Sequence, residues 1–162
     1  MKRRALRASA ILVVLTALSA VAYADLSKKV IAEFKGHILI SNGPLEAAGD
    51  DKATIAEFKK ANLKVVEGQD GEVKAWHFNY TAFLKKTGAS EMKFEFYTDD
   101  KDAKYAADRR LAGVDATTPV LTGEIDINED DGVTRGKTYK LKLVGTFKGK
   151  DVTVSETAIT LK

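Results

Sequence analysis

Val73-Lys74-Ala75-Trp76-His77-Phe78-Asn79-Tyr80-Thr81-Ala82-Phe83-Leu84 and, after the loop 85–90, Glu91-Met92-Lys93-Phe94-Glu95-Phe96-Tyr97-Thr98 decide how this chain folds. In the first run Trp76, Phe78, Tyr80, Ala82 and Leu84 share one parity, and Ala75, His77, Asn79, Thr81 and Phe83 the other. In the second, Met92, Phe94 and Phe96 alternate with Glu91, Lys93 and Glu95. Successive strand residues point to opposite faces, so period-two alternation marks strands with one buried face. The two runs hold more than half of the aromatic residues and are expected to centre the core as an antiparallel hairpin across the Gly88-containing loop.

The same alternation continues outward. Leu121, Gly123, Ile125 and Ile127 alternate with Thr122, Glu124 and Asp126, and Tyr139, Leu141, Leu143 and Phe147 with Lys140, Lys142 and Lys148. In the last run the apolar parity changes between Val152/Val154 and Ile159/Leu161, so a β-bulge is expected near Ser155-Glu156-Thr157. Toward the N-terminus, Val30 to Ser41 reads as a strand closed by Asn42-Gly43-Pro44, and Leu63 to Glu67 as another. Residues 51–61 differ. An Asp cap precedes them and Ile55, Phe58 and Ala61 fall on one helical face, so one short helix is expected there. Lys104 to Leu111 is open between helix, which its alanines and arginines favour, and strand, which its neighbours favour.

Many short strands with one helix predict a mainly β fold, an antiparallel β-sandwich of immunoglobulin-like architecture. A membrane β-barrel, which wants lipid-facing aromatic girdles and no internal helix, is the rival. Ile31-Ala32-Glu33-Phe34-Lys35 recurs as Ile55-Ala56-Glu57-Phe58-Lys59 without matching flanks or a third copy, and reads as coincidence.

The first 24 residues have the three parts of a cleavable secretory signal: the basic start Lys2, Arg3, Arg4 and Arg7, an apolar stretch to Ala20, and Ala22-Tyr23-Ala24 before the cut. The apolar stretch is too short for a retained membrane span. Residues 25–162 are then one exported domain, periplasmic or extracellular and bacterial, with no transmembrane span after cleavage. Losing four of the 26 basic residues leaves 22 against 23 acidic ones, a net charge of −1. Nucleic acid is not an expected partner, because non-specific binding to it is driven by net positive charge. The chain has no cysteine, which removes both disulfides and a thiol nucleophile.

Catalytic and phosphate-binding motifs are not found. His37 and His77 both fall in expected strands, and His77 lies on the face opposite Trp76 and Phe78. Asp126-Ile127-Asn128-Glu129-Asp130-Asp131-Gly132 resembles the opening of a calcium loop, but an EF-hand needs Gly sixth and Glu twelfth, where Asp131 and Lys137 stand. A looser calcium site would join Asp126, Asn128, Asp130 and Asp131 to Asp99, Asp100 and Asp102; solvated acidic turns are the simpler reading, so no metal or cofactor is assigned. Asn79-Tyr80-Thr81 matches a glycosylation sequon by chance, and Lys140, Lys142 and Lys148 keep an exposed face soluble. The expected function is non-catalytic: an exported domain that binds or packs against an envelope or extracellular component. The alternatives are a small-ligand pocket near Trp76, Tyr80, Phe94 and Phe96, a calcium-dependent module, and last an enzyme using carboxylates.

Overall fold

The structure, a computed structural model, describes residues 26–162. The expected export signal and its cut before Asp25 lie outside the described residues. The elements in order are α1 (Lys28–Glu33), β1 (Ile38–Ser41), α2 (Asp51–Ala61), β2 (Val65–Val66), β3 (Ala75–Phe83), β4 (Glu91–Thr98), β5 (Tyr105–Leu111), β6 (Val120–Asn128), a 3-10 turn (Glu129–Asp131), β7 (Lys137–Phe147) and β8 (Lys150–Leu161). The fold is mainly β, with two sheets. One sheet runs β1-β3-β6 and the other β2-β8-β7-β4-β5, antiparallel throughout except for β2 beside β8.

The expected β3–β4 hairpin does not form. Both strands are where the alternation puts them, but β3 pairs with β1 and β6 while β4 pairs with β5 and β7. Alternation reports which face is buried, not which strand lies alongside. The six residues 85–90 carry the chain from one sheet to the other, and the two aromatic rows meet across the core instead of within a sheet. Tyr80 and Phe94 pack edge to face there, with ring centroids 4.7 Å apart. Trp76, Phe78 and Tyr80 of β3, Phe94 and Phe96 of β4 and Leu141 and Leu143 of β7 belong to this one core.

On the other parity of β3, Asn79, Thr81 and Phe83 are buried too, while Ala75 and His77 are exposed, and helices cover the Phe83 end. Val30, Phe34 and Phe58 from α1 and α2 pack on Leu39, Phe83 and Val120 of the three-stranded sheet. This corrects the N-terminal reading. Val30 to Ser41 is not one strand: its first part is the helix α1, and only Ile38–Ser41 is strand. Ser27 caps α1 by accepting from Val30 N at 3.3 Å, and Val30 and Phe34 recur at i, i+4. The repeated pentapeptide therefore has a structural meaning. The second copy lies within α2 and the first runs from the last turn of α1 past its C-cap Phe34, with Phe34 and Phe58 5.8 Å apart and Lys59 bonded to Glu33 at 2.5 Å. The helix at 51–61 is as expected, its Asp50 cap accepting from Ala53 N at 2.8 Å.

Two bulges shape the larger sheet. In β8 the register shifts so that Leu143 faces Ser155 and Val144 faces Thr153, leaving Val154 as the extra residue, just before the expected place. The open segment 104–111 is the strand β5, with Ala106 skipped between the pairs Phe96–Ala107 and Tyr97–Tyr105. Along one side the sheets join through a His37–Glu156 bridge, Lys85 N to Val154 O at 2.9 Å, and Ser155 Oγ to Phe83 O at 2.7 Å. One of the two sheets curls into a half-barrel, and the outer strands β5 and β6 do not pair with each other.

Candidate functional site

Four of the seven calcium candidates have side chains engaged in other bonds, and the other three are exposed. Asn128 Oδ1 accepts from Asp131 N at 3.2 Å and Asp131 Oδ2 from Asn128 N at 2.9 Å, a capping box around the 3-10 turn. Asp126 Oδ1 lies 2.7 Å from His77 Nδ1. Asp100 Oδ1 accepts from Asp102 N and Ala103 N, both at 3.0 Å, closing the β4–β5 turn in which Asp99 and Asp102 are exposed. Asp130 is exposed at the tip of the other turn. Among the described residues no group of three or more His, Asp or Glu is placed to hold a metal ion.

What the sequence reading missed at this end is Arg109. It stands on the inward parity of β5, with Ala107 and Leu111, at the open side of the half-barrel. Its Nε donates to Asp126 O of β6 at 3.1 Å, and its Nη2 is bonded to the Asp131 carboxylate. One guanidinium thus fastens the larger sheet to the smaller. The bond from Arg109 holds the Asp131 carboxyl below its ordinary range, and Asp131 in turn raises the guanidinium. The turn docks closely enough that Gly132, in the left-handed region at φ 107°, has Ala106 O where a β-carbon would sit.

Beside this fastening is a cleft of about 190 Å³ lined by Gln69, Trp76, His77, Arg109, Asp126 and Asn128 among others. His77 and Asp126 face each other in the β3–β6 register, and an imidazole oriented by a carboxylate is the arrangement a general base uses. Here the pair stands in solvent, with side chains 44% and 81% exposed, and Arg109 is committed to the two sheets. The chemistry this supports is hydrogen bonding at a surface. Of the aromatics named for a ligand pocket, Tyr80, Phe94 and Phe96 are packed in the core and line neither of the two best-defined clefts; Trp76 touches this one, with its Nε1 donating to Lys162 O at 2.9 Å.

A second feature lies on the outer face of the larger sheet, which no helix among the described residues covers. The bulge at Ala106 turns Tyr105 outward beside Tyr97, with ring centroids 5.9 Å apart at 79°. Tyr105 is 55% exposed, the most of any large apolar or aromatic side chain described. Its hydroxyl donates to Asp108, while that of Tyr97 donates to Glu95 at 2.9 Å, and both are pushed up in pKa by those carboxylates. Lys142 Nζ sits 4.5 Å over the Tyr97 ring, and Lys93 bonds Glu95 at 2.9 Å. The lysine stripe is thereby divided. Lys140 and Lys142 lie on this face, with Lys142 opposite Glu95 and Glu156, while Lys148 belongs to the β7–β8 turn. The alternation in 91–98 showed Tyr97 as outward; Tyr105 was hidden by the bulge.

No family model, no curated protein and no solved structure matches the chain. Among the described residues no helix is long and apolar enough to cross a membrane.

Proposed function

We propose that this is an exported, non-catalytic binding module whose contact surface is the outer face of the five-stranded sheet around Tyr97 and Tyr105. The observation that carries the reading is the bulge at Ala106, which spends a residue of β5 to present Tyr105 to solvent. Bulges are devices that re-aim a side chain, and tyrosines flanked by paired charges are what protein interfaces use as anchors. The smaller sheet is covered by α1 and α2, and the larger sheet has the greater number of strands, five against three.

In this reading the two sheets pack as an antiparallel β-sandwich of immunoglobulin-like kind, supported by the one core their inner faces share. Export rests on the basic start, apolar stretch and Ala22-Tyr23-Ala24 of the leader, and N-terminal sequencing of the exported protein should find Asp25 first. The partner is an envelope or extracellular component. The test is recovery from the native envelope fraction with wild type and with Tyr105→Asp, an exposed change that leaves the melting temperature in place. A partner retained by wild type and lost by the variant supports the surface; equal retention by both overturns it.

A further inference from the structure

We propose that the end of the half-barrel carrying Lys35, Lys85, Lys86, Lys148 and Lys150 docks on the anionic surface of a lipid bilayer. This goes beyond the outer-face reading and does not rest on it.

These lysines come from three separate links: α1 to β1, β3 to β4, and β7 to β8. Backbone bonds bring the first two links together on β8, and the contact of Lys86 with Phe147 reaches the third. Gly36 N donates to Phe83 O at 2.7 Å, Glu156 N to Gly36 O at 3.0 Å and Lys85 N to Val154 O at 2.9 Å. Gly36 has φ 84°, and the Lys85 side chain lies where its β-carbon would be, so the glycine lets Lys85 cross beside Lys35. Lys86 Nζ sits 4.1 Å over the ring of Phe147, which pairs with Lys150 across the turn that exposes Lys148. All five are exposed, and none is in an ion pair among the described residues.

Of the acids near this end, two are held by bonds to threonines. Asp115 accepts from Thr117 N at 2.9 Å and Thr117 Oγ1 at 2.5 Å. Asp151 accepts from Thr146 Oγ1 at 2.7 Å and pairs with Lys93 at 3.3 Å. Glu156 stands opposite Lys142, and Glu91 opposite Thr146. The acidic turns 99–102 and 129–131 are at the far end of the strands. Setting aside the four basic residues of the leader and Asp25, residues 26–162 hold 22 basic and 22 acidic groups, so the asymmetry is one of placement. That these five cations are all Lys matters. A lysine is a hydrated point charge on a flexible stem, suited to a diffuse negative surface, whereas bidentate recognition of a defined group favours Arg. Each lysine held near such a surface strengthens partitioning about fivefold.

The experiment is co-sedimentation of the full chain, purified as its host yields it, with vesicles of phosphatidylglycerol and phosphatidylcholine in equal parts and with phosphatidylcholine alone. Binding to the anionic vesicles that weakens with salt is expected. Lys85→Glu/Lys86→Glu/Lys148→Glu should lower it by at least about 100-fold. The same number of reversals at the opposite end, Lys101→Glu/Lys104→Glu/Lys137→Glu, should lower it far less. Lys148→Gln/Lys150→Gln, confined to a solvent-exposed turn, gives a milder second variant if the triple one melts early, and should still weaken binding several-fold. The proposal is overturned if wild type ignores anionic vesicles, if both triple variants lose binding equally, or if soluble polyphosphate binds at this end while vesicles do not. Equal retention of the envelope partner by wild type and Tyr105→Asp, with vesicle binding intact, would sink the outer-face reading alone.

Discussion

Arg109 of β5 and Asp131 of the turn after β6 are 22 residues apart in the chain and directly bonded, on the side where the outer strands β5 and β6 do not pair with each other. An inward-pointing charge on an outer strand is normally a liability to the core. Here it is satisfied by a carboxylate and by Asp126 O, so it both closes the half-barrel and guards the edge of β5.

The bond predicts an acid-side loss of stability. Asp131 is held below its ordinary value of 3.8 by Arg109. A depressed carboxyl contributes stability that is present above its unfolded pKa and lost as pH falls through the folded one. Asp131→Asn should therefore be less stable than wild type at neutral pH, and the gap should close below pH 3.8. With side chains 21% and 36% exposed, solvent screening discounts the pair to about 1–2 kcal/mol. Urea midpoints of the two proteins from neutral pH downward check it; a gap independent of pH would mean that the cap to Asn128, and not the charge, is what Asp131 supplies.

Gly132 should tolerate no side chain. Its positive φ and the neighbouring Ala106 O act together, whereas Gly136, at φ 78°, has open space around the position of a β-carbon. Gly136→Ala should cost about 1 kcal/mol from backbone strain alone, and Gly132→Ala clearly more, because the turn must lift off β5. Thermal melts compare the two directly. Equal losses would show that the turn does not dock.

How much of this was legible depends on range. The period-two pattern at 73–98 placed the buried aromatics because a strand's faces are a local property. Partner choice is not local, and β3 and β4 went to different sheets with the same faces buried. The helix α1 was legible and overlooked: Ser27 at its cap, Val30 and Phe34 at i, i+4, and a pentapeptide whose second copy had been read as helix. In β5 the local signal points the wrong way. Ala106, Ala107, Arg109 and Arg110 favour helix, and pairing with β4 overrides them. The Arg109–Asp131 bond had no signal in either residue's neighbourhood.

Tyr80 gives an alkaline counterpart. Burial pushes its hydroxyl up to about 12, while the unfolded chain ionises near the ordinary 10.0. A raised folded pKa means stability that is complete below 10.0 and lost as pH rises toward 12. Tyr80→Phe removes this loss and should be favoured over wild type by about 2–3 kcal/mol more at the end of that range than at its start. The ring itself stays, still packed on Phe94 and over Gly123. Parallel urea curves for the two proteins at every pH would contradict the burial of the hydroxyl.

Calcium is the one specific chemistry the sequence suggested, and the bonds seen here argue how it should behave. To chelate an ion, Asp131 would have to leave Arg109 and Asn128 N, Asp126 would have to turn from His77, and Asp100 would have to open its own turn. Lys137 also stands where an EF-hand loop needs its bidentate Glu, and a cation there repels the ion. A ligand bound only by the folded state raises stability by about 2.7 kcal/mol at one hundred times its Kd. We expect excess calcium to produce no such rise, only the screening that magnesium reproduces at equal ionic strength. A calcium-specific increase in melting temperature that disappears in Asp130→Ala would show that the turns rearrange to hold the ion.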